Sequence, residues 1–338
     1  RMVSMKDIAA ACGVSVATVS KALNNHSDIG EETRELVKRT AKEMGYHPNY
    51  SARALKTRKS YNLGVLYKEN SGSGLTHDYF AQVLENFKVA AENRGYDITF
   101  LNNSRLRKDS MSYLEHSIYR GMDGVMITIV DYKDPQVIEL LQSDLPVVTV
   151  DYMFNGRISV MSDNVDGIQA LLQYIYQKGH RKIAYVHGED SSVTTNRLST
   201  YYRFLEEKGI EVPESYVREG KYRDSYTAGI LTNELLALKE PPTCIIYPDD
   251  FSAIGGMNMV KNKGMKVPQD ISIAGYDGIL LASQIDPVLT TYWQNTVDIG
   301  KNAAEKLINL IEKPRSTVLE PYMARGHMIE GQSVADIN

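Results

Sequence analysis

"GVSVATVSKAL", residues 13–23, decides how this chain begins. It holds one glycine, three valines, a few hydroxyls and one lysine, with almost no bulk on either side. A helix that fills a core needs large apolar side chains, and a catalytic loop needs ionisable groups; this segment has neither. Upstream, Ser4 precedes a helical stretch over 5–12, and Asp7 stands three residues on in capping-box spacing. Gly13 stops that helix. Ser15 then caps a second helix over 16–23, after a turn of about three residues. A third is expected from Glu31 to Met44, with Glu31 and Glu32 at its positive end and Gly45 at its stop. Val19 and Leu23 are expected to face inward from the second helix, and Leu36, Val37, Thr40 and Met44 from the third.

Two helices joined by so tight a turn cross steeply, as in a helix-turn-helix. A helix that enters the major groove approaches base edges closely, so small leading residues suit it. Val16 and Ala17 can touch thymine methyls, and Lys21 can reach guanine acceptors. Ser15, Thr18 and Ser20 are suitable phosphate donors, which fix register without reading sequence. Asn24, at the far end of the helix, completes the DNA-facing set.

Charge points the same way. Residues 1–60 hold 11 Lys+Arg against 6 Asp+Glu, a net of +5, so the remainder carries −9 within a total of −4. A small basic head on an acidic body fits a head that meets a polyanion. At 338 residues the chain has length for two or three domains, and 43% hydrophobic residues supply sizeable cores. No apolar run is long enough to span a membrane. No basic start leads into an apolar export signal, so a cytoplasmic protein is expected. Cys12 and Cys244 stand in apolar contexts far apart and read as buried free thiols in a reducing compartment. Neither has the paired Cys/His spacing of a metal site.

The pattern changes at Asn62. Short β-rich runs, "NLGVLY" (62–67), "YDITFLN" (96–102), "GVMITIV" (124–130) and "PVVTVD" (146–151), alternate with amphipathic stretches. A second series follows: "KIAYVHG" (182–188), "CIIYPDD" (244–250), "ISIAGYD" (271–277) and "LTTYWQ" (289–294). Helical intervals such as 79–94, 166–178, 227–238 and 299–312 lie between. Alternating βα units imply doubly wound parallel sheets, and two series imply two lobes. Ligands of such sheets bind at the carboxyl ends of the strands. The polar strand-end residues Asp163, Asp249, Asp277 and Gln294 therefore form one candidate site. Carboxylates facing one cleft suit vicinal hydroxyls. Trp293, the one tryptophan, is a candidate ring to stack on a sugar.

The motifs "KDIA", "GVSVATVSKALN" and "YHPNYSARAL" occur in order and at the spacing of the lactose-repressor/galactose-repressor family, which this chain resembles. The resemblance continues through "SDN" (162–164), "KGHRKIAYVHG" (178–188), "DDFSAIG" (249–255) and "VPQDISIAGYD" (267–277). It implies an α/β protein with an all-α helix-turn-helix head over 1–48 and a hinge helix over 49–60. It further implies a two-lobed body like the periplasmic sugar-binding proteins, 61–160 with 293–322 and 161–292 with 323–338. It implies a homodimer on a pseudo-palindromic operator, with Leu55 wedged into the minor groove beside Asn49, Ala52 and Arg53. Arg197 matches the family's ligand-gripping arginine, and Tyr222 stands where some sugar-responsive members carry an aromatic ring. One departure is "KENSGSGLTH" (68–77), longer and richer in Gly and Ser than the usual connection. His77, Tyr79 and Phe80 just beyond it join the effector candidates.

No nucleophile elbow, P-loop, dinucleotide fingerprint or zinc-protease motif is present, so neither an enzyme nor a cofactor is expected. The expected function is a repressor of carbohydrate-utilisation genes, controlled by a sugar held between the lobes. Two alternatives stay open: control by a phosphocarrier protein or a non-sugar ligand, and a solute-binding receptor.

Overall fold

Gly13 has φ +66°, a left-handed conformation that costs a glycine nothing. Helix α1 (Met5–Cys12) ends there, and α2 (Val16–Leu23) starts just beyond Ser15. The computed structural model describes residues 3–47, 59–68, 72–101 and 111–338. The hinge positions Asn49, Ala52, Arg53 and Leu55 lie outside the described residues. Both caps follow the sequence: Ser4 and Asp7 form a full capping box, and Ser15 Oγ accepts the Thr18 N–H at 3.0 Å. Helix α3 (Glu31–Glu43) completes the head, a unit distinct from the body that begins at Tyr61.

The head's core is small: Ile8 and Ala9, Val19 and Ala22, Val37 and Ala41. Two inward expectations, Leu23 and Leu36, are not fully met. Ala22 is fully buried while Leu23 is only partly so, and Leu36 is 36% exposed while Ala41 is buried. The pairs 19/22 and 37/41 share a helical face. At three short helices' distance, alanine fits between backbones where leucine must lean over the edge.

The body contains two parallel sheets, each covered on both faces. The first is six-stranded, in the order β11-β5-β4-β3-β1-β2, from β1 (Asn62–Tyr67), β2 (Asp97–Phe100), β3 (Gly124–Thr128), β4 (Val147–Val150), β5 (Ile158–Ser162) and β11 (Tyr322–Ala324). Helices α4 (Asp78–Asn93) and α11 (Thr296–Glu312) close one face over Val65, Met126, Val148 and Val160. Helices α5 (Tyr113–Tyr119) and α6 (Pro135–Gln142) lie over the other. The second sheet has the order β7-β6-β8-β9, from β6 (Ile183–His187), β7 (Val217–Glu219), β8 (Cys244–Ile246) and β9 (Ser272–Ala274). It is sandwiched between α7 (Asn164–Gln177) and α8 (Ser192–Glu207) on one face, and α9 (Ser225–Leu236) and α10 (Asp250–Asn262) on the other. In both sheets the strand order reverses beside the first strand of the series, next to β1 and next to β6. That is the crevice where such sheets bind ligands.

Several strands stop before their apolar runs do. Ile129 (φ +47°) and Asp151 (φ +57°) turn left-handed just past β3 and β4, and the ladder cannot continue through such a residue. The run 289–294 joins the second sheet only through isolated parallel bridges, Ala274 to Thr290 and Asp277 to Trp293. Its strand β10 (Thr291–Trp293) pairs antiparallel with β12 (His327–Ile329) in a two-stranded ribbon. The chain thus passes from the first sheet to the second after Ser162, returns after Trp293 and crosses again after Ala324. Cys244 is buried, which pushes its thiol pKa up, and Cys12 is only half-buried. Among the described residues no helix is long and apolar enough to cross a membrane, and no cluster of ligating side chains could hold a metal ion.

Candidate functional site

Two places concentrate the sequence candidates. On the head, Ser15, Val16, Ala17, Lys21 and Asn24 are exposed, and Thr18 and Ser20 are half-exposed. Val16, at 41%, is a large apolar side chain exposed to water. The Ser15 and Thr18 hydroxyls share a hydrogen bond of 2.8 Å, and the Asn24 amide donates to the Ser20 carbonyl at 2.7 Å. Lys21 Nζ meets Asp28 Oδ2 at 2.5 Å, and this bond lowers the Asp28 pKa. Exposed pairs of this kind contribute little. Lys21 can exchange Asp28 for another acceptor.

The second place is the cleft at the strand ends. Arg197, on α8, is 3% exposed. Its Nε donates to Asn164 Oδ1 at 2.8 Å, its Nη1 donates to the Pro248 carbonyl at 3.0 Å, and its plane lies 3.8 Å from the Tyr276 ring centre. Stacking and two-point bonding fix the guanidinium at one orientation. Asp277 stands beyond β9 at φ +111° and accepts from Gln294 Nε2 at 2.6 Å. The Tyr222 hydroxyl shares a 2.7 Å bond with Thr194, and its ring lies flat on Gly188, where any Cβ would come within 2.1 Å of it. From the first lobe, the Tyr79 hydroxyl donates to the Asp151 carboxylate, whose other oxygen accepts the Ser162 N–H at 2.9 Å. The charges of Arg197 and Asp277 act on Tyr79 across the cleft, and that of Arg197 acts on Asp151.

Burial governs the electrostatics. It pushes the Asp277 carboxyl well above the ordinary range, and the neighbouring Asp250 and Asp249 push it further, against the pull of Arg197. Burial also raises Asp151 and Asp249. Asp249 is bonded at both oxygens, whereas Asp277 takes one side-chain donor, Gln294, and a buried carboxyl short of donors favours more of them. Hydroxyl groups of a ligand would supply them.

The remaining candidates occupy supporting positions. His77 caps α4, its Nδ1 accepting the Phe80 N–H at 3.3 Å. Phe80 is 1% exposed and stacks on Tyr67 at 3.6 Å, within the first core. Asp163 caps α7 and lies 3.7 Å from Arg325 Nε. Asp249 caps α10: one oxygen takes the Ser252 N–H at 2.9 Å, and the other takes the Arg223 N–H at 2.7 Å. Trp293 packs against the His327 ring at 4.8 Å and against the backbones of Gly278 and Gly326. The structure thus pairs Tyr79 with Asp151 in the first lobe, and Arg197 with Asn164, Tyr222 with Thr194 and Asp277 with Gln294 in the second, while Phe80, Asp163 and Asp249 serve as core or cap residues.

Sequence reasoning missed Asp151, Asn164 and Tyr276. Asp151 closes "PVVTVD" as Asp277 closes "ISIAGYD", so the same strand-end signal was present. Asn164 matters only through Arg197, a contact the sequence does not display. The buried hydroxyls of Ser162 and Tyr276 have no hydrogen-bond partner among the described residues.

A basic head with an exposed helix of small residues, joined to a two-lobed body with a polar cleft, defines a ligand-responsive DNA-binding regulator. The chain belongs to the lacI family of bacterial regulatory proteins. That family's profile matches residues 4–49, and a periplasmic binding protein-like domain matches 172–334. The chain is 31% identical to the ribose operon repressor of Haemophilus influenzae, over 95% of this chain and 96% of that one. It is 30% identical to the HTH-type transcriptional repressor PurR of Vibrio campbellii, over 92% of each. The lac repressor dimer bound to operator and the anti-inducer ONPF has the same fold, with a TM-score of 0.84 at 24% identity over 99% of this chain and 100% of that one.

Proposed function

We propose that this regulator is a repressor of carbohydrate-utilisation genes. It binds an inverted-repeat operator as a homodimer and responds to an uncharged sugar held between its lobes. The observation that supports the effector reading is the guanidinium of Arg197, fixed by Asn164, the Pro248 carbonyl and the Tyr276 ring, with the buried carboxyls of Asp277 and Asp151 near enough for its charge to act on both. A planar fork and two desolvated carboxylates can each engage neighbouring hydroxyls, and the Tyr222 ring offers a flat face to a pyranose. The relatives carry different names, a ribose operon repressor and PurR, so the sugar reading rests on the chemistry of this chain's own residues.

On the head, Val16, Ala17 and Lys21 would read base edges, while Ser15, Thr18, Ser20 and Asn24 would hold the backbone. Asn49, Ala52, Arg53 and Leu55 would follow into the minor groove. Residues 1–48 serve as head and 49–60 as hinge. The lobes, 61–160 with 293–322 and 161–292 with 323–338, change their relative angle on binding effector and release the operator.

A thermal-shift screen of the purified chain tests the reading. Neutral pentoses, hexoses and disaccharides are compared with sugar phosphates and purine bases, because a ligand of the folded state raises the melting temperature. A shift with a neutral sugar, lost in Asp277→Asn, is expected. A shift only with a purine or a phosphate overturns the sugar assignment.

A further inference from the structure

Arg223 holds groups from both lobes at once. Its backbone N–H donates to Asp249 Oδ2 at 2.7 Å, and its guanidinium lies 4.3 Å from the Phe251 ring centre, both in the second lobe. From there Nη1 reaches Asp78 Oδ2 at 3.2 Å and Nε donates to Ser73 Oγ at 3.3 Å, both in the first lobe. Asp78 is the first residue of α4, and Ser73 belongs to the Gly/Ser-rich segment before it. The arginine side chain is 10% exposed against 42% for Asp78, so its end of the bridge is nearly dry.

Two features show that this contact is not merely local stabilisation. Arg223 has φ +57°, a conformation that a long side chain adopts only when its surroundings hold it there. A cation beside the N-terminus of α4 also meets the positive end of that helix's dipole, the unfavourable end. The second lobe holds Arg223 through Asp249 and Phe251 by itself, and the bonds to Asp78 and Ser73 are gained only where the lobes meet.

We infer that Arg223 is a positioning residue that ties the lobes together in their closed arrangement. Through Asp249, and through its neighbour Tyr222, it links the effector cleft to the start of α4. The link to the effector rests on the reading proposed above, whereas the tie itself does not. Closing the lobes brings the fork onto Asp78 and Ser73, and opening them leaves a nearly buried guanidinium with one ring and no acceptor. The open state is thereby disfavoured, and an effector that reinforces closure acts on a pre-set two-state element.

Hydrogen exchange on the full chain, with no ligand added, tests the tie. Arg223→Gln and Asp78→Asn should each raise exchange over 72–81 and 221–228 by about 5- to 10-fold, the size of a modest coupling. Strands β1 and β6 should keep their protection. The double variant D78R/R223D, which restores the pair with reversed charges, should return exchange to within roughly twofold of the parent. Unchanged exchange in both single variants overturns the inference. So does a double variant as fast as the singles, or faster exchange spreading into β6, which would make Arg223 a fold residue. Because no effector is present, failure here leaves the sugar reading untouched, and failure of the ligand screen leaves this test intact.

Discussion

Arg197 shows how much one side chain can be asked to do. It fills a buried position, bonds Asn164 and the Pro248 carbonyl, and stacks on the Tyr276 ring. Arg197→Lys keeps the charge and loses the fork, and lysine cannot satisfy both acceptors while stacked on Tyr276. The expected outcome is at least about a tenfold loss of effector affinity, with operator binding kept and the melting temperature lowered by a few degrees. A calorimetric titration with the sugar found by screening checks it, and unchanged affinity would remove Arg197 from the site. At this scale the sequence showed what sits at strand ends, as with Asp277 just beyond β9. It was illegible where a residue's role depends on distant contacts. Arg223 lies 145 positions from Asp78, and nothing in "KYRDS" announces the encounter.

The head illustrates the element scale. Short helices are unstable alone, and α1 and α2, each 8 residues long, depend on caps and on a core of few side chains. Ser15→Ala removes the acceptor for the Thr18 N–H and should destabilise the head by about 1 kcal/mol, seen as an earlier melting transition of the head. Val19→Ala should cost about 2 kcal/mol, because two buried methyl groups leave a space that three small helices cannot close. Lys21→Ala makes a sharper prediction about function. Base preference should change at one position in each operator half-site, whereas equal weakening on all sequences would make Lys21 a phosphate contact. These elements were readable because the caps, the glycine stops and the helical spacing agree locally. The ribbon of β10 and β12 was not, because "HMI" is too short to declare a strand until "TYW" lies beside it.

For the whole molecule, titration couples the cleft to stability. Asp250 is fully buried, and its carboxyl accepts from Thr291 Oγ1 at 2.6 Å and from the Ile279 N–H at 2.9 Å; burial pushes its pKa up to about 7. Unfolded, the same group titrates near 4. Between those values the native state holds the extra proton, so this group favours folding at low pH and ceases to as pH rises toward 7. The contribution amounts to about 1.4 kcal/mol for each pH unit crossed. Denaturant titrations of the parent and of Asp250→Asn should therefore diverge between pH 4 and 7, with the variant gaining on the parent as pH rises. Parallel curves would show that Asp250 keeps its ordinary acidity. The three passages of the chain between the lobes have a practical outcome for anyone dissecting the protein by gene truncation. A fragment ending before Thr296 encodes the first lobe without Ile299, Ala303 and Leu307, the residues of α11 that line its interior. Neither half can be expressed as one uninterrupted piece, and a lobe made alone would need its distant segments spliced back on through an artificial connection.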